Sequence, residues 1–139
     1  MIKILVLEDN TKLFKSYLAR HILDRLADLK EEVHLIHATK IGEALQVLLG
    51  DGVLFGVIDY DAGKAFKAET PDGQLIIRNG AELIATVRAA RQKAELPTIP
   101  MIGMSSHPAG NTFLTKAGAH GAAEKHQVPE LVEQLAKGL

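Results

Sequence analysis

Apolar residues come in short blocks along this chain, separated by amphipathic stretches. Ile2 to Leu7 is nearly all β-branched or Leu, broken only by Lys3, and stops at Glu8-Asp9-Asn10. A continuous apolar run bounded by polar residues is the pattern of a strand buried on both faces. Asn10 or Thr11 can cap a helix, and Phe14, Leu18, Ile22 and Leu26 then recur at helical spacing with charges between them. A charged loop, Asp28 to Glu32, follows. From Val33 to Ala38 apolar residues alternate with His34 and His37, as in a less buried strand. Thr39 is placed to open a second helix through Ala44, Leu45 and Leu48, which Gly50 and Gly52 would stop. The next apolar run, Val53 to Ile58, ends abruptly on Asp59.

The segment from Gly63 to Asn79 breaks this rhythm. Two extended runs, Ala65 to Thr70 and Gln74 to Arg78, flank Pro71-Asp72-Gly73, which predicts a β-hairpin projecting from the edge where Asp59 sits. Asn79 then caps a third helix with Leu83, Ile84 and Val87 inward, ending near Lys93-Ala94. Ile99 to Met104 reads as a short buried strand that ends on Ser105-Ser106-His107-Pro108. A poor fourth helix is expected over Asn111 to Lys116, ending at Gly118, with Pro108 and Gly110 at its start. His120 to Glu124 is a weak strand of small residues before Lys125, and Pro129 suits the first turn of a last helix carrying Leu131, Val132 and Leu135. Five strands alternating with five helices imply a doubly wound α/β fold, with a parallel sheet, right-handed crossovers and helices on both faces.

Composition narrows the function classes. At 139 residues the expectation is one domain over 1–139, with 63–79 as an insertion, and a core that needs no staples. The formal net charge of −1 gives no basic field for nucleic acid. The absence of cysteine removes disulfides, thiolate catalysis and zinc–thiolate sites. No apolar run approaches the length of a membrane span. The first apolar run is too short for a signal peptide, so the expected location is the cytoplasm.

In a parallel sheet the strand ends project from one edge, where ligands of open α/β sheets bind. Here those ends carry Glu8 and Asp9, then Asp59, then Ser105, then Lys125. Three gathered carboxylates repel one another unless a cation offsets them. An all-oxygen set with room for water suits magnesium. A metal-bound carboxylate beside a lysine and a hydroxyl is suited to phosphoryl transfer, with Asp59 as the nucleophile, Lys125 offsetting phosphoryl charge and Ser105 hydrogen-bonding a phosphoryl oxygen.

These residues carry a family resemblance. The chain resembles the receiver domain of two-component response regulators over nearly its whole length, with a chemotaxis-regulator-like, flavodoxin-like fold. The matching pieces are Ile4-Leu5-Val6-Leu7-Glu8-Asp9-Asn10, Ala38 with Gly42-Glu43-Ala44-Leu45, Val57-Ile58-Asp59, Ile99 to Ser106, and Gly118-Ala119 with Glu124-Lys125. Each is weak alone, and their order and spacing together are specific. The resemblance implies a five-stranded sheet in 2-1-3-4-5 order. It implies that Glu8 and Asp9 hold magnesium with Asp59 and the backbone carbonyl of Asp61, and that Asp59 accepts phosphate from a histidine kinase or a histidine phosphotransfer protein. Ser105 would be the switch hydroxyl and Lys125 the phosphate-binding lysine. Output would be a contact with a further protein or a phosphate relay, and a homodimer is compatible with it. Such a protein is not an enzyme beyond its own aspartyl phosphorylation and dephosphorylation.

The chain departs from the family pattern in four places. His126 stands where proline usually follows the lysine, and Ala122 stands where an aromatic switch residue is usual. The long segment after Asp59 replaces a short loop, and the poor fourth helix predicts an atypical output face. Asp61 and His107, each two residues past a site residue, could flank the path of an attacking water and set the lifetime of the phosphorylated state. The other histidines (His21, His34, His37, His120, His126) show no metal-ligand spacing and read as surface or boundary residues. Two other readings stand beside the main one. A degenerate receiver would act as a phosphorylation-independent binding module. A haloacid-dehalogenase-like phosphatase would use Asp59-Tyr60-Asp61 as its motif and the hairpin as its flap.

Overall fold

The apolar runs become the middle of a parallel sheet in the computed structural model, which describes residues 1–138. Strand β1 (Ile2–Leu7) lies between β2 (Val33–Ala38) and β3 (Phe55–Asp59), and β6 (Met101–Met104) and β7 (Gly121–Ala123) complete the order β2-β1-β3-β6-β7. Counting these five strands along the chain gives 2-1-3-4-5, and every pairing is parallel. Ile4 to Leu7 and all of β3 are buried, which is why both read as unbroken apolar runs. The edge strand β2 is less buried, as expected, but its burial does not alternate: His34 is exposed, and Val33 and Leu35 to His37 are all half-buried. The sequence runs used to place β3 and β7 are longer than the strands. Val53 and Leu54 precede β3, and His120 and Glu124 flank β7.

Helices cover both faces. The first, α1, runs through Thr11–Leu13, a π-helical stretch Phe14–Leu18, and Ala19–Arg25. It packs on the last helix, α5 (Val128–Lys137). On the other face α3 (Gly80–Lys93) packs between α2 (Ile41–Leu49) and α4 (Pro108–Ala117). Asn10 caps α1 by accepting from the Leu13 N–H at 3.0 Å, and Asn79 caps α3 by accepting from the Glu82 N–H at 3.0 Å. Thr39 does not open α2, whose N-cap is Lys40. The Thr39 N–H and hydroxyl instead donate to the Glu43 carboxylate, at 3.2 and 3.1 Å.

Two expectations are corrected. Helix α4 is not a poor helix over 111–116, because it starts at Pro108 and runs for ten residues. Proline at a first helical position costs no hydrogen bond and already has helical φ, so the residue that looked like a breaker is the start. Gly110 is no flaw either: a Cβ there would lie 2.3 Å from Ser105 Oγ, so glycine lets the helix close on the site.

The hairpin forms as expected, β4 (Phe66–Thr70) pairing antiparallel with β5 (Gly73–Ile77) across Pro71-Asp72. It leaves the sheet edge just after Asp59 but does not stand clear of the body. The Phe66 ring covers Gly42 on α2, leaving no room for a Cβ there, and Ile77 is wholly buried. The chain then returns to its departure point, the Gly80 N–H donating to the Tyr60 carbonyl at 2.9 Å.

Candidate functional site

Sheet topology brings the chosen residues together. Asp59 is the last residue of β3, Glu8 follows β1, Ser105 follows β6, and Lys125 opens a 3-10 turn (Lys125–Gln127) just beyond β7. One oxygen each from Glu8, Asp9 and Asp59 lie within 4.8 Å of one another. Glu8 is wholly buried, Asp59 nearly so, and Asp9 faces solvent. Lys125 Nζ bridges two of them, 2.5 Å from Glu8 Oε1 and 3.4 Å from Asp59 Oδ2. The other Asp59 oxygen, Oδ1, accepts from the Asp61 N–H at 3.2 Å. The Asp61 side chain is exposed and lies outside the acidic trio.

The trio's electrostatics are those of a site short of positive charge. Burial, and next the facing Glu8, push the Asp59 carboxyl up to about 8. Burial alone would also raise Glu8, but Asp59 and Lys125 outweigh it and hold that carboxyl below the ordinary glutamate range. Asp9 is raised by desolvation and by Glu8. Lys125 is raised despite its own burial, because it faces both Glu8 and Asp59. Without a cation, the proton of the buried pair therefore belongs on Asp59. Glu8 Oε2 is buried with no hydrogen-bond partner, an expensive state for a carboxylate oxygen. An oxygen-only, carboxylate-rich set with one orphaned buried acceptor and one solvent-facing acid fits a hard divalent cation that keeps some of its water.

Ser105 is buried, and its hydroxyl is engaged with the next turn. Oγ accepts from the His107 N–H at 3.1 Å and lies 3.2 Å from the His107 carbonyl. His107 is the N-cap of α4, so the hydroxyl at the site and the start of that helix share one set of contacts. The turn at Lys125 is held by a capping box in which Glu124 and Gln127 bond each other's backbone N–H groups. His126, in the place where receivers usually have proline, points outward and pairs with Glu124 at 3.5 Å. Ala122 lies in β7 opposite Gly103 and is half-buried, with no ring to move.

Sequence reasoning missed two participants. Gly110 was masked by its position two residues past a proline. His37, read as a boundary residue, has its Nε2 2.8 Å from the Glu8 carbonyl oxygen and its ring stacked on Phe14. No local pattern announces that contact, because it joins two strands and a helix.

No family model matches the chain, and no curated protein matches it in sequence. Solved structures match its shape. The chemotaxis protein CheY4 of Vibrio cholerae superposes with a TM-score of 0.59 at 20% identity, covering 100% of this chain and 99% of that one. The BeF3-activated DrrB receiver domain gives 0.62 at 18% identity, covering 99% and 96%. A Burkholderia pseudomallei response regulator, solved with a phosphorylated aspartic acid, a calcium ion and citrate, gives 0.61 at 18% identity, covering 99% and 72%. The chain has the fold of response-regulator receiver domains, with a hairpin added after the third strand of the sheet.

Proposed function

We propose that the chain is a phosphoacceptor receiver of the two-component type. Asp59 takes a phosphoryl group from a histidine kinase or histidine phosphotransfer protein, and the phosphorylated state is read by a protein contact or passed on by relay. The observation that carries this reading is the buried Glu8–Asp59 pair, joined by Asp9 and bridged by Lys125, at the carboxyl edge of a receiver-type sheet. No such arrangement is needed for stability, since three crowded carboxylates oppose folding.

Glu8, Asp9 and Asp59, with the Asp61 carbonyl, would hold magnesium, whose charge when bound would offset that on the phosphoryl oxygens. An Asp59 carboxylate oxygen attacks phosphorus, forming an O–P bond as the P–N bond to the donor histidine breaks and its imidazole leaves. Lys125, already beside Asp59 Oδ2, can hydrogen-bond one phosphoryl oxygen. Ser105 Oγ can leave His107 for another. In dephosphorylation, water attacks phosphorus and Asp59 leaves as carboxylate. The acceptor is the chain's own side chain, so no separate substrate turns over, and a cytoplasmic location suits donors of this class.

The phosphatase reading needs a further acid at the site. Among the described residues no carboxylate beyond Glu8, Asp9 and Asp59 joins the group.

The test is an NMR titration of labelled protein with magnesium and then with beryllofluoride, a mimic of the phosphoryl group, using Asp59→Asn as control. Shifts around Asp59, Ser105 and Lys125 that need magnesium and vanish in the variant support the proposal. Silence to both reagents overturns it in favour of a binding module that is never phosphorylated.

A further inference from the structure

We propose that His37 is a positioning residue for the metal-binding acids: clamped against Phe14, it holds the Glu8 backbone and with it the turn that carries Glu8 and Asp9. The inference rests on the reading of that site as a cation site.

The Glu8 N–H donates to the Ala38 carbonyl at 3.0 Å, the last ladder bond between β1 and β2. The Glu8 carbonyl lies beyond the end of the strand, and His37 Nε2 meets it at 2.8 Å. A carbonyl oxygen only accepts, so Nε2 must carry the hydrogen. The ring is fixed from the other side as well. It stacks on Phe14 with centroids 3.8 Å apart and planes 4° from parallel. Phe14 is itself buried, and its carbonyl accepts from Ala19 N–H, five residues on, so it opens the π-helical stretch. A single widened turn inside a helix often marks a functional place; here it coincides with the residue laid over His37.

The far end of the same turn is tied down too. Asn10 caps α1 through its side chain, and its carbonyl accepts from the Phe14 N–H at 3.0 Å. Glu8, Asp9 and Asn10 therefore run between two fixed points, the His37 bond and the α1 cap, and Phe14 belongs to both. Like charges at Glu8, Asp9 and Asp59 would splay such a turn if it were free. A metal site gains affinity when the groups around its ligands fix their geometry beforehand. His37 offers such a fixture from outside the ligand set.

Two substitutions separate the donor from the stack. His37→Phe keeps a ring against Phe14 and removes the N–H. His37→Gln keeps an N–H at the position of Nε2 and removes the ring. Magnesium affinity of the folded protein, read by NMR titration well below the thermal midpoint, should fall about three- to tenfold in His37→Phe, whose midpoint should also drop because the Glu8 carbonyl loses its donor. It should stay within about twofold in His37→Gln. A purely structural role would move the midpoint and leave the affinity of the folded protein alone. A second readout needs no metal: long-range proton–nitrogen spectra of the wild-type protein at pH 8 should show His37 with its hydrogen on Nε2. A hydrogen on Nδ1, or wild-type magnesium affinity in folded His37→Phe, overturns the positioning role while leaving the site reading intact. Failure of the wild-type protein itself to bind magnesium overturns the site reading and the positioning role together.

Discussion

Asp59→Asn should stabilise the metal-free protein, and the gain should grow with pH. Asp59 is almost wholly buried beside Glu8, and its carboxyl is pushed up to about 8 from an ordinary 3.8. A tenfold change in proton affinity is worth about 1.4 kcal/mol, so ionising this group in the folded state costs on the order of 4–6 kcal/mol more than in the unfolded chain. Between about pH 4 and pH 8 the folded protein keeps a proton that the unfolded chain has lost. Stability must then fall as pH rises through that window and level off above it. Glu8 and Lys125 do not mask the slope. Glu8 is lowered, so its contribution is lost only as pH falls below the ordinary glutamate range, and Lys125 is raised, so its contribution is lost only at strongly alkaline pH.

An amide at position 59 removes this contribution to the slope and leaves the one from Asp9, whose carboxyl is also raised by desolvation and by Glu8. It also lets a neutral N–H face Glu8, at the expense of one partner for Lys125. After that discount the variant should exceed the wild type by roughly 2–4 kcal/mol at pH 8, and by little at pH 4.5. For a domain of this size that is a rise in midpoint of roughly 6–15 °C. Urea unfolding followed by circular dichroism, with chelator, at four pH values between 4.5 and 8.5 measures it. Saturating magnesium should close the gap, because a ligand at a hundred times its dissociation constant adds about 2.7 kcal/mol to whichever native state binds it. Parallel pH profiles for the two proteins in chelator would refute the reasoning, because the buried pair would then carry no ionisation penalty.

Three further outcomes follow from the packing around the site. Gly110→Ala places a Cβ 2.3 Å from Ser105 Oγ and 2.9 Å from its Cβ; denaturant melts should show a loss of about 1–3 kcal/mol, and beryllofluoride shifts at Ser105 should be blunted. Arg91→Met removes a nearly buried guanidinium that donates to the Pro97, Leu48 and Gly50 carbonyls at 2.8, 3.1 and 3.0 Å. It should cost about 2–4 kcal/mol in the same assay and leave magnesium affinity unchanged. Asp61 and His107 both expose their side chains beside the site, so Asp61→Asn and His107→Ala should slow release of phosphate from phosphorylated protein by about two- to tenfold. Wild-type rates in both would remove them from the path of the attacking water.

Most of the fold was legible because burial and pattern coincide in a doubly wound sheet. Ile4–Leu7 and Phe55–Asp59 are buried on both faces, so their apolar runs carry the strand signal unmixed. Polar residues just past the ends then point to the edge where ligands of open α/β sheets bind. Glu8, Asp9, Asp59, Ser105 and Lys125 are the candidates that reasoning selects, each from its place at a strand end, and topology gathers them without any pairwise signal in the sequence. What was misread depends on tertiary contact. Pro108 and Gly110 look like breakers in a one-dimensional reading. In three dimensions one is a helix start and the other the gap that admits Ser105. Thr39 looks like a cap because of its type, but Glu43 takes its hydrogen bonds and the helix starts later. The hairpin was legible as two extended runs about Pro71-Asp72-Gly73, but not its docking, since Phe66 finds its place on a glycine 24 positions earlier.

His37 marks the limit of strand-end reasoning. The alternation of β2 correctly made it less buried than its neighbours in β1, and that same pattern hid its use. An edge strand's outward residue is ordinarily solvated, and nothing nearby in sequence requires otherwise. Its contact goes with the widening of α1 by one residue at Phe14 and with the Glu8 carbonyl lying past the last ladder bond, which the Glu8 N–H makes. Both are consequences of how the acidic turn joins strand to helix. The carboxylates follow from pattern because chemistry requires their charge, whereas the groups that aim them need only a hydrogen bond and a flat surface, which many residue types and positions could supply. That asymmetry is why the acids of a site such as this can be named from a sequence, while the residue that orients them emerges only when the strand, the turn and the helix are seen together.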